Sequence, residues 1–416
     1  MKINLSKRNP VLTLLMGSSF AQALPIAISP ILTRIYSIED FGVFAAFLSI
    51  SAILQTFING KYELALVTST NKFETIHIAA LGLIIATVIS LILTVIIFLF
   101  AGQISDLLDI KGIGNLLFFL PITIFLSGLW NIFNYLAISL QKYNHLKNVS
   151  IQKSIFLAIS QLSLGFFKTG ILGLLLAQTL SQISGNLHLK SKLGILKPKI
   201  FFKIFSTSKL KKVMIKYINF PKYQVLSTFA NQTSRELINI STVALYGLNA
   251  LGLLGLTNRV LSAPLTIMTS IYYQVLLKEA SDERKITGSA SKSFKRTLQR
   301  LIYTGLPIFA IIFLTAEDSF ALIFGESWRE AGTYAKLMTP LLFIRFVSSP
   351  LAAVTQVFNK QKSMLYINLS LILVSLIIIV STVVFSLEFL DFLVIFTYAN
   401  TICYIYFIFY YSRIIK

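Results

Sequence analysis

Charged residues are scarce in this 416-residue sequence. They make up 13% of the chain, whereas ordinary soluble proteins contain about 25%. Hydrophobic residues make up 55%, and the mean hydropathy is +0.77. A soluble protein has too little interior to hide this much apolar surface, and a disordered chain lacks such a composition, so both classes are excluded. The composition indicates an integral membrane protein.

Cysteine, histidine and the usual catalytic signatures are also nearly missing. The single Cys403 excludes an internal disulfide, and we expect it to be a small buried apolar side chain. The three histidines, His77, His145 and His188, are far apart in sequence. The sequence contains no phosphate-binding P-loop, HExxH motif or Cys/His metal cluster. We therefore expect no enzyme, no metal site and no cofactor.

Long apolar runs fill most of the chain. A helix that crosses a bilayer needs about 20 mostly apolar residues, and the sequence predicts an all-α protein with about twelve such spans. They lie at about 11–33, 41–59, 76–101, 113–139, 149–167, 170–189, 223–246, 250–276, 298–316, 331–357, 364–387 and 389–411.

The first run has a competing interpretation as a secretory leader. Lys2, Lys7 and Arg8 precede it, and residues 21–23 (Ala-Gln-Ala) resemble a signal-peptidase site. Because the apolar run continues past Ile28, we expect a first span rather than a cleaved leader.

Positive charge is distributed unevenly between the runs. With alternating spans and a cytoplasmic N-terminus, most of the 37 Lys and Arg residues fall on the cytoplasmic side, including Lys153. This bias predicts that both termini are cytoplasmic. The net charge of +21 therefore reflects membrane orientation, and we expect no nucleic-acid partner. Four cations fall outside: Arg34, Lys111, Lys168 and Arg329.

A basic segment at 190–222 divides the chain into two halves of six spans. Its lysines would suit nucleic acid or heparin, but we expect a cytoplasmic loop that touches anionic lipid head groups. The predicted organisation is an N-terminal six-helix bundle at 1–189 and a C-terminal six-helix bundle at 223–416.

The two halves carry a faint repeat. Tyr36 and Gly42 follow the first span, and Tyr246 and Gly252 follow the seventh, at a constant offset of 210 residues. Two parallel repeats of six spans insert with the same orientation, and transporters often place their substrate site between such repeats.

Polar side chains form stripes along several predicted spans. Such stripes line a hydrated cavity or join helices by hydrogen bonds, and we expect a cavity because the seventh span is polar along its whole length. An arginine cluster favours an anion, especially phosphate, because the guanidinium is planar and permanently charged. Glu236 either binds a coupling proton or sodium ion or neutralises one arginine. The predicted cavity residues are Arg34, Arg235, Arg259, Arg345, Asn231, Asn239, Gln22, Gln55 and Asn59.

Three segments carry a family resemblance. Residues 30–42 (PILTRIYSIEDFG), 60–66 (GKYELAL) and 252–259 (GLLGLTNR, followed by Pro264) resemble blocks of the Wzx-type oligosaccharide and polysaccharide flippases. In the second block Lys61 stands where family members often have arginine. These flippases belong to the multidrug/oligosaccharidyl-lipid/polysaccharide (MOP) superfamily.

The resemblance implies two six-helix bundles in a V shape around a central cavity. It implies alternating access that moves an undecaprenyl-diphosphate-linked oligosaccharide across the bacterial plasma (inner) membrane, from the cytoplasmic to the outer leaflet, for O antigen or capsule. The arginines would hold the diphosphate, and the amide and hydroxyl groups would bind the sugar. The implied partners are this lipid-linked oligosaccharide, membrane lipids, a polysaccharide polymerase and other assembly proteins, with coupling to a proton or sodium gradient.

Two other functions remain open. An ion-coupled drug exporter of the same superfamily predicts acids within the membrane, and Glu236 alone qualifies. A membrane scaffold without transport predicts polar stripes that close against one another.

Overall fold

The computed structural model describes residues 10–69, 71–107, 116–193 and 206–415, and within these ranges the chain is helical, with no β-strand. It divides into an N-terminal unit, Met1–Gln232, and a C-terminal unit, Thr233–Lys416. The division lies later than the predicted start of the second bundle at 223. Lys2, Lys7 and Arg8, and residues 194–205 of the basic segment, lie outside the described residues.

The helices follow one another with short connections. The N-terminal unit also contains a 3₁₀ turn at Tyr62–Leu64 and a π-helix at Phe220–Val225. The helix Leu226–Thr287 begins in this unit and continues into the C-terminal unit. In chain order the helices are Pro10–Ala27, Ser29–Ile35, Ile38–Leu54, Ala65–Thr68, Lys72–Leu107, Phe119–Ser139, Tyr143–Phe166, Ile171–Leu193, Thr207–Lys216, Leu226–Thr287, Ser291–Phe324, Arg329–Leu351, Ala353–Val357, Gln361–Phe385 and Phe389–Ile414.

Eight helices in the described ranges are long and apolar enough to cross a membrane. One of them, Phe220–Thr287, contains both the seventh and the eighth predicted spans. Three predicted spans coincide with shorter or more polar helices. The first span corresponds to two helices, Pro10–Ala27 and Ser29–Ile35, the second to Ile38–Leu54, and the sixth to Ile171–Leu193. The all-α membrane fold class predicted from the composition and the apolar runs is confirmed.

Local sequence explains where several helices begin and break. Ser37 accepts a hydrogen bond from the Asp40 amide while the Asp40 carboxylate accepts one from the Ser37 amide, which is a capping box. The long helix breaks at Gly247, whose φ of 81° favours glycine. This break lies at the turn predicted between spans seven and eight.

The core of the N-terminal unit is an aliphatic cluster with aromatic edges. Leu66, Ile132 and Leu189 are completely buried in it, and Val213 joins them from the short helix Thr207–Lys216. Tyr62 donates a hydrogen bond to the Met214 carbonyl oxygen (3.2 Å), and Lys216 pairs with Glu74 (2.5 Å). Part of the predicted basic loop is therefore a helix that packs on the N-terminal unit.

The C-terminal unit is held by close helix contacts and by aromatic rings in tilted and edge-to-face arrangements, such as Tyr334 against Phe389. A Cβ atom added at Gly332 would lie 2.6 Å from both the Ala316 carbonyl oxygen and the Glu317 Cα. The helices Ser291–Phe324 and Arg329–Leu351 therefore touch through their backbones at this glycine, as small residues allow in membrane proteins.

The repeat tyrosines make equivalent contacts in the two units. The Tyr36 hydroxyl donates to the Gln161 carbonyl oxygen (2.8 Å), in the fifth predicted span of the first half. The Tyr246 hydroxyl donates to the Leu387 carbonyl oxygen (3.0 Å), at the end of the fifth predicted span of the second half. Each tyrosine thus joins the end of the first predicted span of its half to the fifth predicted span of the same half.

Candidate functional site

Two arginines approach each other in the C-terminal unit. Arg235 lies on the helix Leu226–Thr287 before the Gly247 break, and Arg345 lies on the helix Arg329–Leu351. Repulsion from Arg345 is the largest electrostatic effect on Arg235, and Tyr404 and Glu236 act on it in the opposite sense. The Arg235 side chain is exposed and Arg345 is half-buried. Two like charges held together at an accessible position favour an anion.

Carboxylates do not neutralise this pair by direct contact. The salt bridges of the described residues join Lys61 with Glu63, Lys216 with Glu74, Arg300 with Glu279, Arg329 with Asp318 and Glu326, and Lys336 with Glu317. Neither Arg235 nor Arg345 belongs to this set. Their positive charge is therefore available to a ligand.

Glu236 belongs to a chain of hydrogen bonds within the same unit. The side-chain amide nitrogen of Asn239 donates to the Glu236 carboxylate (2.9 Å), and the side-chain amide nitrogen of Asn258 donates to the side-chain oxygen Oδ1 of Asn239 (3.3 Å). This chain connects the two parts of the long helix on either side of Gly247. It brings the predicted residues Glu236 and Asn239 together, beside Arg235.

Arg259 lies on the same long helix as Arg235, after the Gly247 break. It follows Asn258 and is half-buried, and burial is the main influence on its side chain. Of the predicted arginines of this unit, Arg235 and Arg345 lie close enough to repel each other.

The predicted residues of the N-terminal unit have different surroundings. Arg34 is exposed in the last turn of Ser29–Ile35 and donates to the Pro30 carbonyl oxygen (2.6 Å). Gln22 is half-buried on the helix Pro10–Ala27, and Asn231 is half-buried four residues before Arg235 on the same long helix. The second predicted span extends to residue 59, but its helix ends at Leu54, so Gln55 is its C-terminal cap.

Asn59 is committed to holding helices together. It is 2% exposed, and its amide nitrogen donates to the carbonyl oxygens of Gly82 (3.1 Å) and Gly128 (3.2 Å). Its carbonyl oxygen accepts a bond from Asn131 (3.4 Å). The interpretation of Asn59 as a cavity residue is thus replaced by a structural role, because both of its donor hydrogens are used and it is inaccessible.

The turn after Asn59 contains a buried carboxyl that sequence reasoning did not single out. Glu63 is 3% exposed and lies 3.7 Å from the Lys61 ammonium, and its Oε2 atom has no hydrogen-bond partner among the described atoms. Burial raises the pKa of the Glu63 carboxyl above its ordinary value, and Lys61 opposes the rise. A glutamate two residues after a lysine in an apolar stretch was the available sequence signal.

Tyr404 and Lys153 were also missed. Tyr404 lies among the tyrosines of the last helix, and that concentration of hydroxyls in an apolar run was its signal. Lys153 was counted with cytoplasmic charges, but it lies well inside the helix Tyr143–Phe166, with its ammonium 4.4 Å from the centre of the Trp130 ring. Its position within a predicted span at 149–167 was the signal for that placement.

Comparisons with solved structures show the fold. The lipid II flippase MurJ in an inward closed conformation matches with a TM-score of 0.72 and 15% identity, over 96% of this chain and 87% of that chain. An inward-facing multidrug resistance transporter of the MATE family and MOP superfamily matches with a TM-score of 0.68 and 15% identity, over 99% and 96%.

A third structure is a MOP superfamily transporter from Pyrococcus furiosus, described by a reverse polarity of its binding pocket that suggests a different function. It matches with a TM-score of 0.62 and 13% identity, over 97% of this chain and 95% of that chain. At these identities the three structures establish the fold alone.

Sequence comparison is more specific. No curated protein matches the chain. A family model described as "Polysaccharide biosynthesis protein" matches residues 31–333, which is more than half of the chain. The match includes the second and third segments that resemble the Wzx-type flippases, and all of the first except Pro30. The chain belongs to this polysaccharide biosynthesis protein family, which confirms the family relation predicted from its sequence.

Proposed function

We propose that the chain is a flippase for undecaprenyl-diphosphate-linked oligosaccharide repeat units. It moves them by alternating access from the cytoplasmic to the outer leaflet of the bacterial plasma membrane, for O antigen or capsule synthesis. Family membership and the MOP fold support a transporter of this kind. Both termini are cytoplasmic in this proposal, and segment 190–222 connects the bundles at 1–189 and 223–416.

The Arg235–Arg345 pair carries the proposal. A diphosphate cannot cross hydrocarbon with its charge uncompensated, and two adjacent guanidinium groups neutralise phosphate with charge-assisted, bidentate hydrogen bonds. Arg235 is exposed, Arg345 is half-buried, and neither is among the salt bridges of the described residues. The same pair repels the cationic cargo of a drug exporter. The Pyrococcus furiosus transporter offers a parallel, because its description links a reversed polarity of the binding pocket to a different function within the MOP superfamily.

The remaining assignments follow from this chemistry. Asn231, Asn239, Gln22 and Gln55 bind sugar hydroxyls, and Arg259 and Arg34 add positive charge to the path. Glu236, held by Asn239, either binds a coupling proton or sodium ion or balances Arg235. The lipid tail remains in the bilayer, and the outer-leaflet product passes to a polysaccharide polymerase.

The deciding experiment uses a deletion strain of the source bacterium. Membrane lipids are extracted, lipid-linked oligosaccharide is quantified by mass spectrometry, and its leaflet is determined with a membrane-impermeant label. We expect complete repeat units to accumulate on the cytoplasmic side and the wild-type gene to reverse this. Arg235→Ala or Arg345→Ala, at equal expression, slows flipping roughly ten- to hundredfold, because each removes a charged hydrogen-bond partner.

Two comparisons sharpen the outcome. Arg235→Lys keeps the charge but loses the bidentate geometry, so we expect partial rescue. Arg296→Ala removes an arginine that is exposed elsewhere in the C-terminal unit, and we expect it to flip normally. Unchanged lipid-linked glycans in a strain without a second flippase would overturn the proposal and favour the ion-coupled small-molecule exporter.

A further inference from the structure

A lysine lies within a membrane-crossing helix of the N-terminal unit. Lys153 is at position 11 of the 24-residue helix Tyr143–Phe166, about 15 Å along the axis from its first residue. This helix is one of the eight that are long and apolar enough to cross a membrane. A charged side chain within a membrane-crossing helix is costly, and such residues usually pair with another group or line a polar cavity.

Trp130 and Gly185 position the Lys153 side chain. The ammonium lies over the Trp130 ring, 4.4 Å from its centre. A Cβ atom at Gly185 would lie 3.1 Å from Lys153 Cδ and 3.2 Å from Trp130 Cζ3. Because Gly185 has no side chain, the Lys153 side chain and the Trp130 ring can pack together against its helix, where three helices meet. A cation–π contact attracts the ammonium to the ring face but leaves its hydrogen-bond donors without acceptors.

Carboxylates do not provide the rest of the compensation in the described part of the N-terminal unit. Glu63 pairs with Lys61 and Glu74 pairs with Lys216, whereas Lys153 is in neither salt bridge. Asp40 caps the start of the helix Ile38–Leu54. The half-buried Lys153 thus presents an oriented, unpaired ammonium within the membrane region.

We propose that Lys153, positioned by Trp130, binds an oxyanion of the transported molecule within the N-terminal unit. The inference rests on the proposed flippase function and deepens it, since it adds a second anionic contact besides the Arg235–Arg345 pair. The oxyanion is a phosphate of the lipid diphosphate or a carboxylate of an acidic sugar. Both accept short charge-assisted hydrogen bonds from an ammonium. Lys153 is the binding group, and Trp130 is a positioning residue.

The tryptophan content of the chain provides a direct assay. It has two tryptophans, and Trp328 is 1% exposed in the C-terminal unit. In a Trp328→Phe background, Trp130 is the only indole and reports on the ammonium above it. The full-length protein in phosphatidylcholine nanodiscs is titrated with geranylgeranyl diphosphate, a glucuronate-containing trisaccharide and a neutral trisaccharide.

We expect a saturable change in Trp130 emission with at least one of the two anions and none with the neutral sugar. A response to the diphosphate assigns the site to the lipid carrier, and a response to glucuronate assigns it to an acidic glycan. In Lys153→Gln the apparent Kd rises at least tenfold, whereas Lys153→Arg keeps the response. Lys190→Gln, an exposed lysine of the same unit, binds as the parent does.

Gly185→Ala is the second test if Lys153→Gln fails to fold. It retains the charge but crowds the Lys153 and Trp130 side chains, so we expect weaker anion binding. Emission that ignores both anions, or responds equally in Lys153→Gln, would overturn the subsite. Binding is measured without transport. Normal anion binding with unchanged cellular glycans would therefore refute the flippase function alone, and absent binding with intact flipping would refute the subsite alone.

Discussion

At the scale of single residues, polar groups in the apolar helices differ in whether they hold the structure together. The side-chain amide of Asn59 donates to the carbonyl oxygens of Gly82 and Gly128 and accepts a hydrogen bond from the Asn131 side chain. Arg235 and Arg345 instead repel one another. Both kinds of residue look alike in an apolar sequence, because each is a polar residue in a hydrophobic run. Their hydrogen-bond partners separate them.

Glu63 gives a prediction about pH at this scale. Burial raises its pKa in the folded protein above the ordinary value of 4.5. The folded state then holds the proton to higher pH than the unfolded state, so this carboxyl lowers stability as pH rises from about 4.5 to the folded pKa. Glu63→Gln removes that loss, which amounts to about 1.4 kcal/mol per pKa unit.

The measurement is thermal unfolding of the purified protein between about pH 4 and pH 8. We expect the free energy of unfolding of Glu63→Gln to fall less across this range than that of the wild type. Glu39→Gln, at an exposed position, serves as the control and keeps the wild-type slope. Equal slopes for all three proteins would show that Glu63 is not the group responsible.

At the scale of elements, the repeat tyrosines connect the end of the first predicted span of each half with the fifth predicted span of the same half. The Tyr36 hydroxyl remains a donor at physiological pH, because burial and then the nearby Asp40 raise its pKa to about 12. An offset of 210 residues between two tyrosines was weak evidence for a repeat. The equivalent hydrogen bonds give that offset a physical meaning.

We predict that replacing either repeat tyrosine lowers the stability of the protein by a similar amount. Tyr36→Phe and Tyr246→Phe each remove one hydrogen bond, and we expect each to lower the free energy of unfolding by about 1 kcal/mol. Because the two bonds lie in separate units, the double variant should lose about the sum. Denaturant unfolding of the detergent-solubilised protein measures these differences. Tyr303→Phe, 76% exposed, should be neutral, and a comparable loss there would contradict the role of the hydrogen bonds.

At the scale of the whole molecule, the distribution of Lys and Arg predicts which side of the membrane each connection occupies. The single Cys403 makes this testable, because Cys403→Ala yields a chain free of cysteine. Ser327→Cys and Ser208→Cys then place one thiol at an exposed position on each predicted side. An impermeant maleimide should label Ser327→Cys in intact cells and Ser208→Cys only after permeabilisation. Reversed labelling would invert the predicted orientation.

Much of the architecture is readable along the chain. Hydrophobic runs predict membrane helices because burying apolar side chains in lipid is a local, additive property. Their positions agree well with the helices, although Ile38–Leu54 ends earlier and Ser291–Phe324 is longer than predicted. Residues 30–42 and 60–66 indicated the family, because a family motif can be read directly from consecutive residues.

Side-chain partnerships required the tertiary structure. That Arg235 lies within electrostatic reach of Arg345 depends on how helices pack, and helical periodicity fixes only the face on which each residue lies. The same holds for Lys153 over Trp130 and for Asn59 bound to Gly82 and Gly128. Apolar length is a property of one segment, whereas a binding group and a structural hydrogen bond are distinguished only by what neighbouring segments bring to them.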